Sequence, residues 1–178
     1  MQATRTILAA AISVLLINHA YAVNESTQDQ TGSDNCANVF QRGEDSSISQ
    51  RQSGTGNVAD VVESGGFSTF SFTQDSTGNV LTAEQGGRST TVVGRSTGND
   101  NRVEQGFDGS SLIIDQNGTA NEIDVVQMGY YSSGTVEQVG TENYASLVQT
   151  GAWDNMQQYD ATIMQYGTGN SAFVTQGP

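Results

Sequence analysis

The stretch Ser68-Thr69-Phe70-Ser71-Phe72-Thr73-Gln74-Asp75-Ser76-Thr77-Gly78-Asn79-Val80-Leu81-Thr82-Ala83-Glu84-Gln85 decides the fold. Ser68, Phe70, Phe72 and Gln74 alternate with small polar residues, and Asn79, Leu81, Ala83 and Gln85 alternate with Val80, Thr82 and Glu84. A period of two belongs to a strand with one face buried. Between the two runs, Asp75-Ser76-Thr77-Gly78 supplies the residue types that let a chain reverse direction. The unit reads as strand, turn, strand.

The same unit recurs along the chain. Asn35, Asn57, Asn79, Asn99, Asn121, Asn143 and Asn170 follow one another at four steps of 22 residues, one of 20 and one of 27. Six residues after each asparagine stands Gln41, Glu63, Gln85, Gln105, Gln127, Gln149 or Gln176, with Glu63 the one exception. The first strands of the other copies read Ser46, Ile48, Gln50, Gln52, then Ser110, Leu112, Ile114, Gln116, then Ser132, Gly134, Val136, Gln138, and finally Tyr159, Ala161, Ile163, Gln165. A fixed period of this length marks a repeat architecture in which each copy stacks on the next. The expected fold is all-β: an amyloid-like β-solenoid of about six strand-turn-strand coils of about 22 residues, with two parallel sheets. A helix is excluded by the period, the glycines and the abundant Ser and Thr. A conventional sandwich would not need identical residues at matched places in every copy.

Stacked coils lie about 4.8 Å apart, so identical amides form ladders in which each donates to one neighbour and accepts from the other. Burying an amide is costly unless it is paired, and a column of amides pairs all but its ends. The residues expected to carry the fold and its assembly are therefore Ser46, Gln52, Asn57, Ser68, Gln74, Asn79, Gln85, Asn99, Gln105, Ser110, Gln116, Asn121, Gln127, Ser132, Gln138, Asn143, Gln149, Gln165, Asn170 and Gln176. Three departures stand out. The fourth copy aligns as Arg88, Thr90, Val92 and Gly94 after a link shortened by two, which turns its arginine outward or into a corner. Glu63, in a glutamine column, is expected to be protonated or at a rim. Five extra residues between Gln149 and Tyr159, including Trp153, make one turn bulge. Asn24, Ser26, Gln28 and Gln30 fall on the right offsets but add nothing apolar, so order is expected to begin near Asn35.

Residues 1–22 read as a signal peptide, with Arg5 before an apolar run from Ile7 to Ile17 and Ala20-Tyr21-Ala22 at the cut. The run is too short to span a bilayer, which takes about 20 apolar residues, so no membrane insertion is expected. The domain reading is then a signal peptide at 1–22, a polar N-terminal segment at 23–34 and the repeat solenoid at 35–178. Beyond residue 22 the chain keeps five arginines against 19 acidic residues, a formal charge of −14. Nucleic acid is not an expected partner, because its binding needs a basic footprint. Lysine is absent, the single histidine is His19 in the leader, and the single cysteine is Cys36. Neither a disulfide framework nor the usual general bases and nucleophiles are on offer, and no catalytic residue, metal or cofactor is expected. Pairs such as Asp100/Glu104 and Glu122/Asp124 read as a solvated face. The Gly-rich turns lack the aspartate of the calcium-binding nonapeptide.

A solenoid that stays monomeric hides its end coils, because open strand edges are templates for pairing. Only Gly177 and Pro178 follow Gln176, and the front segment is short and polar. Both ends are expected to present unfinished ladders and to add copies end to end.

The pattern Ser-x5-Gln-x4-Asn-x5-Gln, intact at Ser68/Gln74/Asn79/Gln85, Ser110/Gln116/Asn121/Gln127 and Ser132/Gln138/Asn143/Gln149, resembles the curlin repeat. The resemblance runs from about Asn35 to Gln176. It implies a secreted subunit of curli, the bacterial surface amyloid of biofilms, exported through the periplasm and an outer-membrane secretion pore. The implied partners are further copies of the chain and a nucleator subunit. The acidic balance and regular ladders are more like the major, fibre-forming subunit, with the minor nucleator as the alternative. From a different class, the Ser/Thr array at Ser47, Ser49, Thr69, Ser71, Ser89, Thr91, Thr135 and Thr162 would suit a monomeric ice- or surface-binding solenoid.

Overall fold

The computed structural model describes residues 10–16, 24–97, 100–106, 108–151 and 158–177. Fifteen strands and no helix occur among them. One sheet has eight strands in chain order: β1 (Ala10–Leu16), β3 (Asn35–Gln41), β5 (Val58–Glu63), β7 (Val80–Gln85), β9 (Asp100–Gln105), β11 (Glu122–Met128), β13 (Tyr144–Thr150) and β15 (Ser171–Gln176). The other has seven: β2 (Glu25–Ser33), β4 (Ser47–Thr55), β6 (Thr69–Thr77), β8 (Thr91–Thr97), β10 (Ser111–Thr119), β12 (Ser133–Thr141) and β14 (Asp160–Thr168). The chain crosses from one sheet to the other at every turn, and all pairings are parallel. This is the β-solenoid that the period requires.

Burial follows the alternation residue by residue. Ile48, Phe70, Phe72, Val92, Leu112, Ile114, Val136 and Ile163 from the seven-stranded sheet meet Val39, Ala59, Val61, Leu81, Ala83, Ile123, Val125, Ala145 and Leu147 from the other. Volume is balanced between neighbouring coils. A Cβ on Gly94 would fall 2.1 Å from Phe72 Cε2, and one on Gly134 would fall 2.7 Å from Leu147 Cδ2. The small residues make room for large ones, in the adjacent coil for Gly94 and across the core for Gly134, as close packing demands.

Three corner positions take a left-handed backbone, one of them the residue before the corner serine or threonine: Asp45, Phe67, Ser89, Gly109 and Tyr131, with φ between 51° and 75°. Gly32, Gly54, Gly118, Gly140 and Gly167 near the ends of the first strands have φ between 113° and 136°. A Cβ on Gly54 would stand 1.8 Å from Ser76 O, so glycine is required there by space as well as by conformation. The residue before the conserved-spacing asparagine is the third position, taken by Asp34, Gly56, Gly78, Ala120, Glu142 and Gly169 with φ between 54° and 71°.

Two sequence expectations need correction. Order begins ahead of Asn35: residues 25–33 form β2, in register with β4 from Glu25 opposite Ser47 to Ser33 opposite Thr55. Polar contacts stand in for the missing apolar ones, since Gln30 Nε2 donates to Gln52 Oε1 at 2.6 Å and Asn24 Nδ2 to Gly43 O at 2.7 Å. The fourth copy is also displaced by two residues from its expected alignment. Val92 pairs with Phe70, Gly94 with Phe72 and Ser96 with Gln74, so Thr90 precedes the strand where Arg88 was expected. The shortening falls after β8: Gln74 and Val80 are six residues apart, whereas Ser96 and the matching Asp100 are four apart. This alignment buries Thr90 and leaves Arg88 exposed at the corner, its guanidinium 5.6 Å from the Phe67 ring. The alternative would bury a cation without a partner. The bulge with Trp153 and most of residues 1–22 lie outside the described residues, although Ala10–Leu16 form β1 beside β3.

Candidate functional site: the side-chain ladders and their ends

A corner asparagine such as Asn57 does two jobs. Asn57 Nδ2 donates to Ser53 O four residues back at 3.1 Å, closing the turn. It also donates to Asn35 Oδ1 at 3.1 Å, and the Asn57 backbone N–H reaches the same oxygen at 3.1 Å. Asn79 repeats this on Asn57, Asn143 on Asn121 and Asn170 on Asn143, with amide contacts of 2.7, 3.0 and 3.0 Å. A two-acceptor oxygen and a two-donor nitrogen are both used fully, which is why Asn serves where Asp or Ser would leave a group unpaired.

The glutamine columns run beside them. In the seven-stranded sheet Gln52 Nε2 donates to Gln74 Oε1 at 2.8 Å, Gln116 to Gln138 at 2.9 Å and Gln138 to Gln165 at 2.7 Å. In the eight-stranded sheet Gln127 donates to Gln149 at 2.7 Å and Gln149 to Gln176 at 2.8 Å. Gln85, Gln127 and Gln149 also donate across the core to Thr69 O, Ser111 O and Ser133 O, tying one sheet to the other. The serines anchor the opposite corner: Ser68 Oγ donates to Gly87 O at 3.1 Å and Ser110 Oγ to Gly129 O at 2.8 Å. Ser46 and Ser132 occupy the same buried position.

The ladders have a polarity. In the amide-to-amide bonds among the described residues, asparagine donates toward the N-terminal coil and glutamine toward the C-terminal coil. The seven-stranded sheet's glutamine column therefore ends in unlike groups. At one end Gln165 Nε2 is buried with no acceptor, and at the other Gln30 Oε1 is buried with no donor. The C-terminal coil is correspondingly less covered, with Ala172 and Val174 half-buried, Asn170 exposed and Phe173 70 % exposed.

Of the residues expected from sequence, those described fall into these columns. Asn99 lies outside the described residues, and for Gln105 the backbone alone is described, in register with Gln85 and Gln127. Sequence reading gave Gln30 the right offset without counting it in a ladder, and missed the places of Thr90 and Ser96. Thr90 Oγ1 donates to Ser68 Oγ at 2.9 Å, and Ser96 Oγ reaches Asn79 Oδ1 at 3.1 Å and Gln116 Oε1 at 3.4 Å. Their signal was the 20-residue step, which has two possible placements of the shortening. Glu63 is fully buried, not at a rim, and burial pushes its carboxyl up to about 7 although Ser46 Oγ donates to it.

These features define a class first: a β-solenoid whose coils are joined by polar side-chain ladders. Residues 118–151, from the end of β10 through β13, match the family model of the curlin associated repeat. The chain thus carries a curlin repeat, in support of the family that its Ser-Gln-Asn-Gln pattern resembles. No curated protein and no solved structure matches it.

Proposed function

We propose that this chain is the structural subunit of an extracellular curli-like fibre, of the major type, growing by end-to-end stacking of copies. The observation that carries the reading is the complementarity of the ladder ends. β14 and β2 are both nine residues long with glycine in eighth place, Gly167 and Gly32, at φ 116° and 113°. Set in the register of the internal pairs, β14 of one copy places Gln165 Nε2 against Gln30 Oε1 of the next. β15 likewise places Asn170 against Asn35 and Gln176 against Gln41. Each join then repeats the bonds already made inside the chain, and a non-closing head-to-tail contact of this kind generates a filament.

Export through the periplasm and an outer-membrane pore, and a nucleator partner, belong to the same reading by family resemblance. The test is residues 23–178 diluted from denaturant and followed by thioflavin fluorescence and electron microscopy. Fibres after a lag, with the lag shortened by preformed fibre, are expected. A folded chain that stays monomeric would overturn the reading and favour the surface-binding solenoid.

A further inference from the structure

Glu63 breaks a column in which every other described member is glutamine, and the break is chemical as well as compositional. Its register partners are Gln41 on β3 and Gln85 on β7. In this sheet a glutamine passes the bond on by accepting at Oε1 and donating from Nε2, as Gln149 does between Gln127 and Gln176. A carboxylate only accepts, whereas a carboxylic acid has one donor and so matches glutamine. The side chain is 0 % exposed, Glu63 Oε2 has no hydrogen-bond partner, and the neighbouring Gln41 Oε1 is buried without a donor. The site therefore holds an acceptor in want of a proton beside a carboxyl oxygen that can carry one.

The surroundings offer no counter-ion. Arg42 after β3, Glu44 and Asp45 in the link to β4, Glu84 on β7 and Arg88 beyond it are all exposed, and none is ion-paired with Glu63 among the described residues. Ser46 Oγ at 3.1 Å and the backbone N–H groups of Gly43 and Gly65 are the donors that face the carboxyl, and all are neutral. Ionisation leaves a buried charge against glutamine and serine, which desolvation opposes.

We propose that Glu63 is a proton-operated rung: with its carboxyl protonated Glu63 donates to Gln41 Oε1 and the coil of β5 is held, and ionisation removes that bond, loosens the coil and slows folding and assembly. The sign follows from linkage. A carboxyl that ionises near 7 when folded and at its ordinary lower value when unfolded contributes stability that is intact at pH 4.5 and lost as pH rises to about 7. Over pH 5 to 8 the folding equilibrium constant should fall on the order of a hundredfold from this one group.

The experiment uses the full chain, wild type, Glu63→Gln and Glu84→Gln. Each variant removes one negative charge, but Glu84 is exposed on the outer face. Strand content after dilution from denaturant is followed by circular dichroism from pH 5 to 8.5 in 0.3 M salt, whether or not fibres appear. The expected result is a steep loss of folding across the window in wild type and Glu84→Gln, and a flat profile in Glu63→Gln. A Glu63→Gln profile as steep as wild type, or a wild type flat across the window, would overturn the proposal. Electron microscopy of the same samples separately scores fibres, so a failure of the fibre reading is distinguishable from a failure of the rung.

Discussion

Gln50 occupies a place that Phe72, Ile114, Val136 and Ile163 fill in other coils, and its Nε2 and Oε1 are both buried and unbonded. An unpaired buried amide costs about 1–3 kcal/mol, while an apolar side chain of the same shape does not. Gln50→Met should therefore raise stability by about 1 kcal/mol, read as a higher urea midpoint with unchanged slope. The left-handed position before each asparagine gives a second residue-scale expectation. Gly56, Gly78 and Gly169 have open space where a Cβ would be, so conformation alone favours glycine there. Glu142 at φ 57° carries the Cβ penalty, and Glu142→Gly should gain about 1 kcal/mol, whereas Gly54→Ala, which drives a Cβ into Ser76 O, should lose more than that. The inward columns were legible in the sequence at this scale, because period two admits only one assignment of faces. The chemical state of Glu63 was left open, because it depends on what encloses the side chain.

Strands are specified more by their partners than by their own composition. β2 contains no apolar residue, yet it holds register with β4 over nine residues because the backbone ladder and the Gln30–Gln52 amide contact supply the specificity. The same logic explains why β8 keeps its place with Thr90 and Ser96 in place of Ser and Gln. Local pattern could not place the two-residue shortening, since either choice preserves the alternation. The burial of Thr90 rather than Arg88 decided it. Ladder strength is testable on β13 and its neighbour. Asn143→Ala removes an amide that bonds Asn121 and receives Asn170, and Gln149→Ala cuts the column between Gln127 and Gln176. Each should destabilise by about 2 kcal/mol and slow seeded elongation several-fold. Ser133→Ala and Thr135→Ala, whose side chains lie on the outer face of β12, should change either quantity little. Equal effects of inward and outward substitutions would undermine the ladders as the source of stability.

Across the whole molecule the acidic surface opposes what the ladders favour. The two described ion pairs, Arg51–Asp29 at 3.6 Å and Arg95–Asp75 at 3.5 Å, are exposed and offset little of the −14 charge. In the proposed stacking Asp160 of β14 meets Glu25 of β2, so like charges face each other at the join. Raising salt from 10 to 300 mM should shorten the assembly lag, because the screening length drops from about 30 Å to below 10 Å. A lag indifferent to salt would argue against charge as the brake. β1 adds a steric brake: Ala10–Leu16 lie on β3 from Asn35 to Gln41, the edge that β15 of a second copy would take. The full chain should therefore elongate more slowly than residues 23–178 when both are seeded equally.

By itself the sequence determined the solenoid, its two faces, and the columns of Asn, Gln and Ser, because stacking turns a repeated residue into a repeated contact. Only the tertiary structure decided the direction in which each ladder donates, the membership of β2, the displaced fourth copy and the burial of Glu63. Those depend on which group lies in the next coil and on the solvent that the coil excludes, and neither is a property of any single repeat.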